Sequence, residues 1–142
     1  IARVLEKSID LHVDKSIEKI INAHGVVILG DEKLFGRVFN NLILNAFEAM
    51  KNVVQPHVVI SLEIVDQTQV EITIKDVGEG IPLNVQEKVF IPNFTTKDTG
   101  SGIGLAVAKR GIEHAGGEIW FDTKLNEGTT FHITMPLHVS KS

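Results

Sequence analysis

Residues 57–75 read HVVISLEIVDQTQVEITIK. Val58, Ile60, Leu62 and Ile64 recur at alternate positions, as do Val70, Ile72 and Ile74, while Glu71, Thr73 and Lys75 fill the places around the second set. Side chains along a strand point to opposite faces in turn, so the spacing predicts two strands, each with one apolar and one wet face. Asp66-Gln67-Thr68-Gln69 is short enough to join them as an antiparallel hairpin. The end of the chain repeats the pattern: Ile119 and Phe121 in one strand, Phe131, Ile133 and Met135 in the next, and Asn126-Glu127-Gly128 at the turn.

Four strands that share an apolar face need a second layer to cover it. Asp31 is placed to cap a helix running to about Met50, with Leu34, Val38, Leu42, Ala46 and Ala49 on or near one face. A short helix near 84–89 and a longer one over 102–115 follow, the last ended by Gly116-Gly117 in the left-handed manner. The expected fold is therefore a two-layer α/β sandwich with helices on one face of the sheet and the other face open. Before Asp31, VLEKSIDL at 4–11 predicts a short helix, and SIEKII and VVIL flank Asn22-Ala23-His24-Gly25 as strand, tight turn and strand.

The 142 residues are 43% hydrophobic, enough for one domain with a core of its own, and we expect a single domain over 1–142. Fourteen basic residues against eighteen acidic give a net charge of −4, with no basic run, so nothing points to nucleic acid. Cysteine is absent, which excludes disulfides and thiolate metal sites and is compatible with a cytoplasmic setting. No apolar run approaches the ~18 residues that span a bilayer, so no membrane contact is expected of this domain. The first residue is Ile1 rather than Met, which suggests a piece of a longer protein, one whose parent can still be membrane-anchored.

Chemistry concentrates in three stretches. Thr95–Arg110, TTKDTGSGIGLAVAKR, runs through Gly100, Gly102 and Gly104 into an apolar-periodic segment, a glycine-rich turn feeding a helix N-terminus. The first N–H groups of a helix lack intrahelical partners and carry the positive end of its dipole, so phosphate can sit there, with Lys97 and Lys109 supplying charge. A plain surface loop has the same composition. Asn41 and Asn45 lie one helical turn apart, with Glu48 three residues on; such amides serve either as solvated or loop-bonding groups or as neutral oxygen ligands for Mg²⁺. Asp76-Val77-Gly78-Glu79-Gly80-Ile81-Pro82 follows the second strand of the hairpin. There a carboxylate either caps the turn or, with glycines opening a slot for a flat ring, accepts a hydrogen bond from the adenine amine and repels the guanine carbonyl.

In this order the stretches resemble the catalytic, ATP-binding domain of sensor histidine kinases, in the superfamily of gyrase, Hsp90 and MutL. NNLILNAFEAM resembles the family's N box, DVGEGIP the G1 box, VFIPNFTTK the F box, GSGIGL the G2 box and GTTFHITMP the terminal strand motif, over about Gly30 to Pro136. The resemblance implies a Bergerat-type fold with a mixed, mostly antiparallel sheet, ATP and Mg²⁺ as ligands, and transfer of the γ-phosphoryl group to a histidine. It implies that Asn45 ligates Mg²⁺, that Asn41 stands near the phosphates, and that Asp76 reads adenine with Gly78, Gly80 and Ile81 around it. Residues from about Pro92 to Ser101 look like a lid, poorly ordered until phosphates engage Lys97. Gly100, Ser101, Gly102, Ile103, Gly104 and Leu105 would line the phosphate side, and Thr130 would back the adenine. Asn41, Asn45 and Lys97 are thus the expected catalytic set.

Three departures qualify the match. Glu48 stands where many members carry Lys or Arg, Ile91 and Asn93 alter the F box, and His114-Ala115 reverses a frequent Ala-His. None of His12, His24, His57, His114, His132 or His138 sits in the His-Glu-Leu-Arg type of context that marks the family's phosphate acceptor. The expected partners are therefore a histidine-bearing dimerisation domain of the parent kinase and a response regulator downstream. Two alternatives belong to the same superfamily. An ATPase clamp would want an acidic residue where Asn41 stands, and an anti-sigma-type serine kinase or binding module usually has a shorter glycine-rich motif than GSGIGLAVAKRGIEHAGG.

Overall fold

The computed structural model describes residues 17–21, 32–92 and 105–137. Five strands, β1 (Ile17–Ile21), β2 (Val58–Val65), β3 (Gln69–Lys75), β4 (Glu118–Lys124) and β5 (Gly128–Pro136), form one sheet in the order β1-β2-β3-β5-β4. The expected hairpins are present: Ile60 faces Ile74 across β2 and β3, and Phe121 faces Phe131 across β4 and β5. Their turns place Asp66, Gln67 and Asn126 at positive φ. The segment SIEKII contributes β1, which pairs with β2 in parallel, Ile17 opposite Val58 and Ile21 opposite Leu62. The sheet is thus mixed and mostly antiparallel. The expected helix at 4–11, the turn at 22–25 and the strand VVIL lie outside the described residues.

Three helices complete the described residues: α1 (Glu32–Ala49), α2 (Leu83–Gln86) and α3 (Ala106–His114). The face of α1 that enters the core is carried by Phe35, Val38, Phe39, Leu42 and Ala46, none more than 3% exposed, while Leu34 and Ala49 are only half-buried. It meets Ile60, Leu62, Ile72, Ile74 and Ile133 of the sheet, all at or below 2% exposure, and removing each such side chain from water contributes about 1.5–3 kcal/mol. Ile64 departs from the expected apolar row: it lies at the hairpin end of β2 and is 46% exposed. The short helix is smaller than the sequence suggests, because residues 87–90 form turns after Gln86. α3 ends as expected, with Gly116 at φ 88 and the N–H groups of Gly116 and Gly117 donating to the carbonyls of Glu113 and Ile112.

One consequence of this topology positions everything that follows. β3 and β5 are antiparallel neighbours, as are β5 and β4, so the end of β3, the start of β5 and the end of β4 meet at one edge of the sheet. The C-terminus of α1 reaches the same edge through the carbonyl of Ala49, which accepts from the Glu79 N–H at 3.1 Å.

Candidate functional site

Asp76 stands at that edge, just past the last residue of β3. Its N–H continues the ladder to the carbonyl of Thr129 at 2.9 Å. Its side chain turns inward and is one of three buried polar side chains among the described residues, with 4% of the residue exposed. Oδ1 accepts two backbone N–H groups, from Gly78 at 2.9 Å and from Thr129 at 3.2 Å. Burial pushes the carboxyl above its usual value of 3.8, and the two N–H donors pull the other way without cancelling it. Both protein bonds converge on one oxygen, which leaves Oδ2 as the acceptor a ligand would meet. A carboxylate serving only to cap its turn would have no use for a burial that works against its charged form.

The loop after Asp76 is sewn to the protein on both sides. Glu79 bonds back to Ala49, and its own carbonyl accepts from Asn126 of the β4–β5 turn at 2.9 Å. The Ile81 N–H donates to Thr123 Oγ1 at 2.9 Å, and the Ile81 carbonyl accepts from Gln86 Nε2 at 2.8 Å. This corrects the expected role of the two glycines. A Cβ on Gly78 would lie 2.6 Å from the carbonyl oxygen of Ala49, and one on Gly80, at φ 78, would lie 2.6 Å from that of Lys124. The space beside them is filled by backbone, so they let the loop press against α1 and the β4–β5 turn instead of opening a slot for a ring. Ile81 is 5% exposed and belongs to the core.

Asn41 and Asn45 project from α1 as the helical spacing requires, Asn41 exposed and Asn45 half-buried. No hydrogen bond to either side-chain amide is found among the described residues. The reading in which they brace a neighbouring loop therefore has no support there, and their oxygens are available. Asn45 is one turn before Ala49, the residue whose carbonyl anchors the Asp76 loop through the Glu79 N–H. Among the described residues no three His, Cys, Asp or Glu side chains gather as a metal cluster.

Other expected residues fare differently. Leu105 is 0% exposed and sits in the core at the start of α3, its N–H bonded to the carbonyl of Val89 at 3.3 Å, so it anchors the helix and is not free to touch a ligand. Lys109 lies over the Phe90 ring at 5.0 Å and pairs with Glu113 at 3.8 Å, an arrangement that occupies its charge. Thr130 points to the open face of the sheet. There it lines, with Lys75 and Asp122, a recess of about 320 Å³ that touches Asp76 but none of Asn41, Asn45 or Ile81. The threonine that supports Asp76 is Thr129, 4% exposed. Strand parity was the signal available for it: Phe131, Ile133 and Met135 set the inner face, and Thr129 shares their register while Thr130 does not. Thr123 and Gly128 carried no comparable signal. Lys97, Gly100, Ser101, Gly102, Ile103 and Gly104 lie outside the described residues.

Comparison with known proteins shows the family of the chain. Residues 30–139 match the family described as histidine kinase-, DNA gyrase B- and HSP90-like ATPase. The chain is 34% identical over 110 residues to the sensor protein FixL of Bradyrhizobium diazoefficiens, an alignment covering 78% of this chain and 22% of FixL. It is 39% identical over 111 residues to sporulation kinase A of Bacillus subtilis, covering 78% of this chain and 18% of that protein. The chain thus spans less than a quarter of the length of these two relatives. Among solved structures, the nucleotide-free catalytic domain of histidine kinase ThkA superposes with a TM-score of 0.78 at 28% identity, covering 96% of this chain and 91% of that one. The mycobacterial sensor histidine kinase MprB follows with a TM-score of 0.76 at 27% identity, covering 96% and 93%. With its family match covering most of its length and the same fold as these catalytic domains, the chain belongs to the histidine kinase-, DNA gyrase B- and HSP90-like ATPases.

Proposed function

We propose that the chain binds ATP and is the catalytic domain of a two-component sensor protein-histidine kinase. The observation that carries this is Asp76: a buried carboxylate whose Oδ1 is fixed by two backbone N–H groups while Oδ2 is left to accept from the exocyclic amine of adenine. The two amides on α1, without hydrogen-bond partners among the described residues, would serve the phosphate end of the site. Asn45 would hold Mg²⁺ through its neutral oxygen, a ligand that suits a hard ion, and such an ion would supply charge neutralisation beside the phosphates. Asn41 orients them, and Lys97 with Gly100, Ser101, Gly102, Ile103 and Gly104 closes over them.

The chain's contribution to the reaction is position and electrostatics. With adenine fixed against Asp76, the γ-phosphorus is presented at the Asn41 end for in-line attack. A histidine nitrogen on a separate dimerisation domain forms the P–N bond as the bond to the β,γ-bridging oxygen breaks, and ADP departs with that oxygen. Asn41 cannot act as a base toward water, which favours transfer over hydrolysis. A response regulator then receives the phosphoryl group. No described helix is long and apolar enough to cross a membrane, and a domain that consumes ATP works on the cytoplasmic side.

Calorimetric titration tests the nucleotide: ATP should bind at least about tenfold more tightly than GTP, the factor one hydrogen bond at the upper end of the usual range provides. Equal affinities overturn the reading of Asp76. Incubation with γ-labelled ATP tests the division of labour. The chain alone should stay unlabelled, and stoichiometric, acid-labile self-labelling would show that it carries its own acceptor.

A further inference from the structure

The chain has a single tryptophan, and it stands on an edge of the sheet. β4 ends the strand order, and Glu118, Trp120, Asp122 and Lys124 alternate along its outer face. The Trp120 indole lies flat against the His132 ring, with centroids 5.1 Å apart and planes 4° from parallel. That imidazole is held at both nitrogens: Nδ1 is 2.9 Å from Glu71 Oε1 on β3, and Nε2 is 2.9 Å from Asp122 Oδ2 on β4. A ring fixed in this way fixes the indole stacked on it. Trp120 is nonetheless 37% exposed, and no hydrogen bond to its N–H is found among the described residues. One face of the indole is taken by His132, and the other is open to a ligand.

Beside the tryptophan a recess of about 570 Å³ lies between α3 and the start of β4, lined by Gly116 and Gly117 and by the charges of Lys109, Glu113 and Glu118. Lys109 and Glu113 are 3.8 Å apart and offset each other. Glu118 has no ion-pair or hydrogen-bond partner among the described residues, so it leaves the recess with one uncompensated negative charge. Glu118 and Trp120 are two residues apart on one face of the strand, about 7 Å along it, close enough for one planar cation to stack on the indole and meet the carboxylate. The same carboxylate and the net charge of −4 repel nucleic acid and anionic membrane surfaces.

We propose that Trp120 and Glu118 form a docking site for an arginine side chain on a segment of a partner protein. A guanidinium is planar, stacks on aromatic faces, is more weakly hydrated than an ammonium, and presents a fork that fits a carboxylate. An aromatic side chain held in place before its partner arrives has little freedom left to lose, which is the form that interface anchors take. The site is independent of the proposed nucleotide cleft, since Asp76, Asn41 and Asn45 take no part in it.

The test adds the blocked peptide acetyl-Gly-Arg-Gly-amide, and its lysine and citrulline counterparts, to the chain while the emission of its single tryptophan is followed. The arginine peptide should change that emission and bind at least about fivefold more tightly than the citrulline peptide, which keeps the planar head without its charge. It should also bind more tightly than the lysine peptide, whose charge is not planar. Glu118→Gln, at an exposed position, should cut the preference for arginine over citrulline by at least about twofold. Trp120→Leu should remove the preference for arginine over lysine, read from the chemical shifts of the Gly116 and Gly117 amides. If the leucine protein does not fold, Trp120→Phe is read in its place and should weaken that preference, because phenylalanine is the poorer cation acceptor. Peptides that leave the tryptophan emission unchanged overturn the proposal. So do equal affinities for arginine and citrulline or for arginine and lysine, a glutamine protein with the native preference, and a Trp120 variant that discriminates as the native chain does.

Discussion

The two ends of the proposed cleft are built by opposite means. At the Asp76 end the backbone does the holding: Gly78, Thr129, Glu79, Asn126 and Ile81 each commit an N–H to a fixed partner, and two of these, from Gly78 and Thr129, hold one carboxylate oxygen in place. At the α1 end two side-chain amides stand without partners among the described residues. The first arrangement is paid for during folding and costs nothing when the base arrives, which is what a specificity element requires. The second, in the proposed function, is completed by its ligand. Damage to the backbone that holds the carboxylate should therefore reach stability and binding together, and damage to the second end should reach binding alone.

The largest effect is expected at Gly128. Its φ is 130, and a Cβ there would lie 2.2 Å from the carbonyl oxygen of Asp76 itself. Gly128→Ala should cost at least about 2 kcal/mol of stability through backbone strain and the displaced strand end, and abolish measurable ATP binding in the protein that remains folded. Gly116→Ala is the control. It also has positive φ, but its Cβ meets Pro136 at 3.3 Å, away from the site, so thermal melting should fall while ATP affinity holds. Native ATP affinity in Gly128→Ala would break the claim that the β5 start holds Asp76.

Asp76→Asn comes next and should split the two readouts. An asparagine Oδ1 keeps both N–H bonds but turns a donor toward the ligand, so ATP affinity should fall by at least ~1.5 kcal/mol, the scale of a bond to a charged group. Apo stability should move the other way. Burial raises the folded carboxyl above 3.8, so the folded state holds its proton more tightly than the unfolded chain and loses stability as pH rises through the window above 3.8. The melting temperature of Asp76→Asn minus that of the native chain should accordingly grow across that window and stay positive at neutral pH. A difference independent of pH would show that the burial carries no such cost.

Asn45→Ala probes the other end. Alanine is the better helix former, so the apo melting temperature should hold or rise slightly, while the Mg²⁺-dependent share of ATP affinity, measured against EDTA, should vanish. If Mg²⁺ strengthens ATP binding equally in both proteins, Asn45 is not the ligand. If the variant melts lower in the apo state, the two ends of the cleft are less different than their hydrogen bonding implies.

This contrast also explains what the sequence could and could not reveal. The period of two in VVISLEI and VEITI and the helical row on α1 report burial, and burial is what decides layers, so the sandwich was legible. The parallel pairing of β1 with β2 was not, because it joins residues 41 positions apart, as Ile17 to Val58, and a near neighbour is the easier guess. The side chains proposed to act directly stood out by residue type: Asp76 continues the apolar alternation of Val70, Ile72 and Ile74 with a carboxylate, and Asn41 and Asn45 are poor helix formers inside a helix. Residues that act by fit did not. Leu105 looked like a lining residue because it adjoins a glycine-rich motif, yet an apolar residue at a helix start is equally suited to the core. Gly78 and Gly80 looked like space, when the space was taken by Ala49 and Lys124. Thr129 was recoverable from strand parity alone, whereas Thr123 depends on a cross-strand partner that only the folded register supplies.

The smallest expected effect concerns Lys109, and it bears on which cation serves the phosphates. From spacing alone Lys97 and Lys109 were equivalent candidates on either side of the glycines. The structure sets Lys109 apart: its ammonium lies 5.0 Å from the centre of the Phe90 ring and 3.8 Å from Glu113, with its side chain 44% exposed. A cation over a ring at an exposed site is worth about 0.5–1 kcal/mol, and the exposed pair with Glu113 adds less. Lys109→Met keeps the aliphatic stem against Phe90 and removes the charge, so it should lower stability by no more than about 1 kcal/mol and leave ATP affinity where it was. Lys97→Met is the counterpart, expected to leave the melting temperature alone and weaken ATP more than AMP, which lacks the terminal phosphates. Were Lys109→Met the variant that discriminates ATP from AMP, the charge at the phosphate end would come from α3, and Lys109 would have to leave Phe90 when the nucleotide binds.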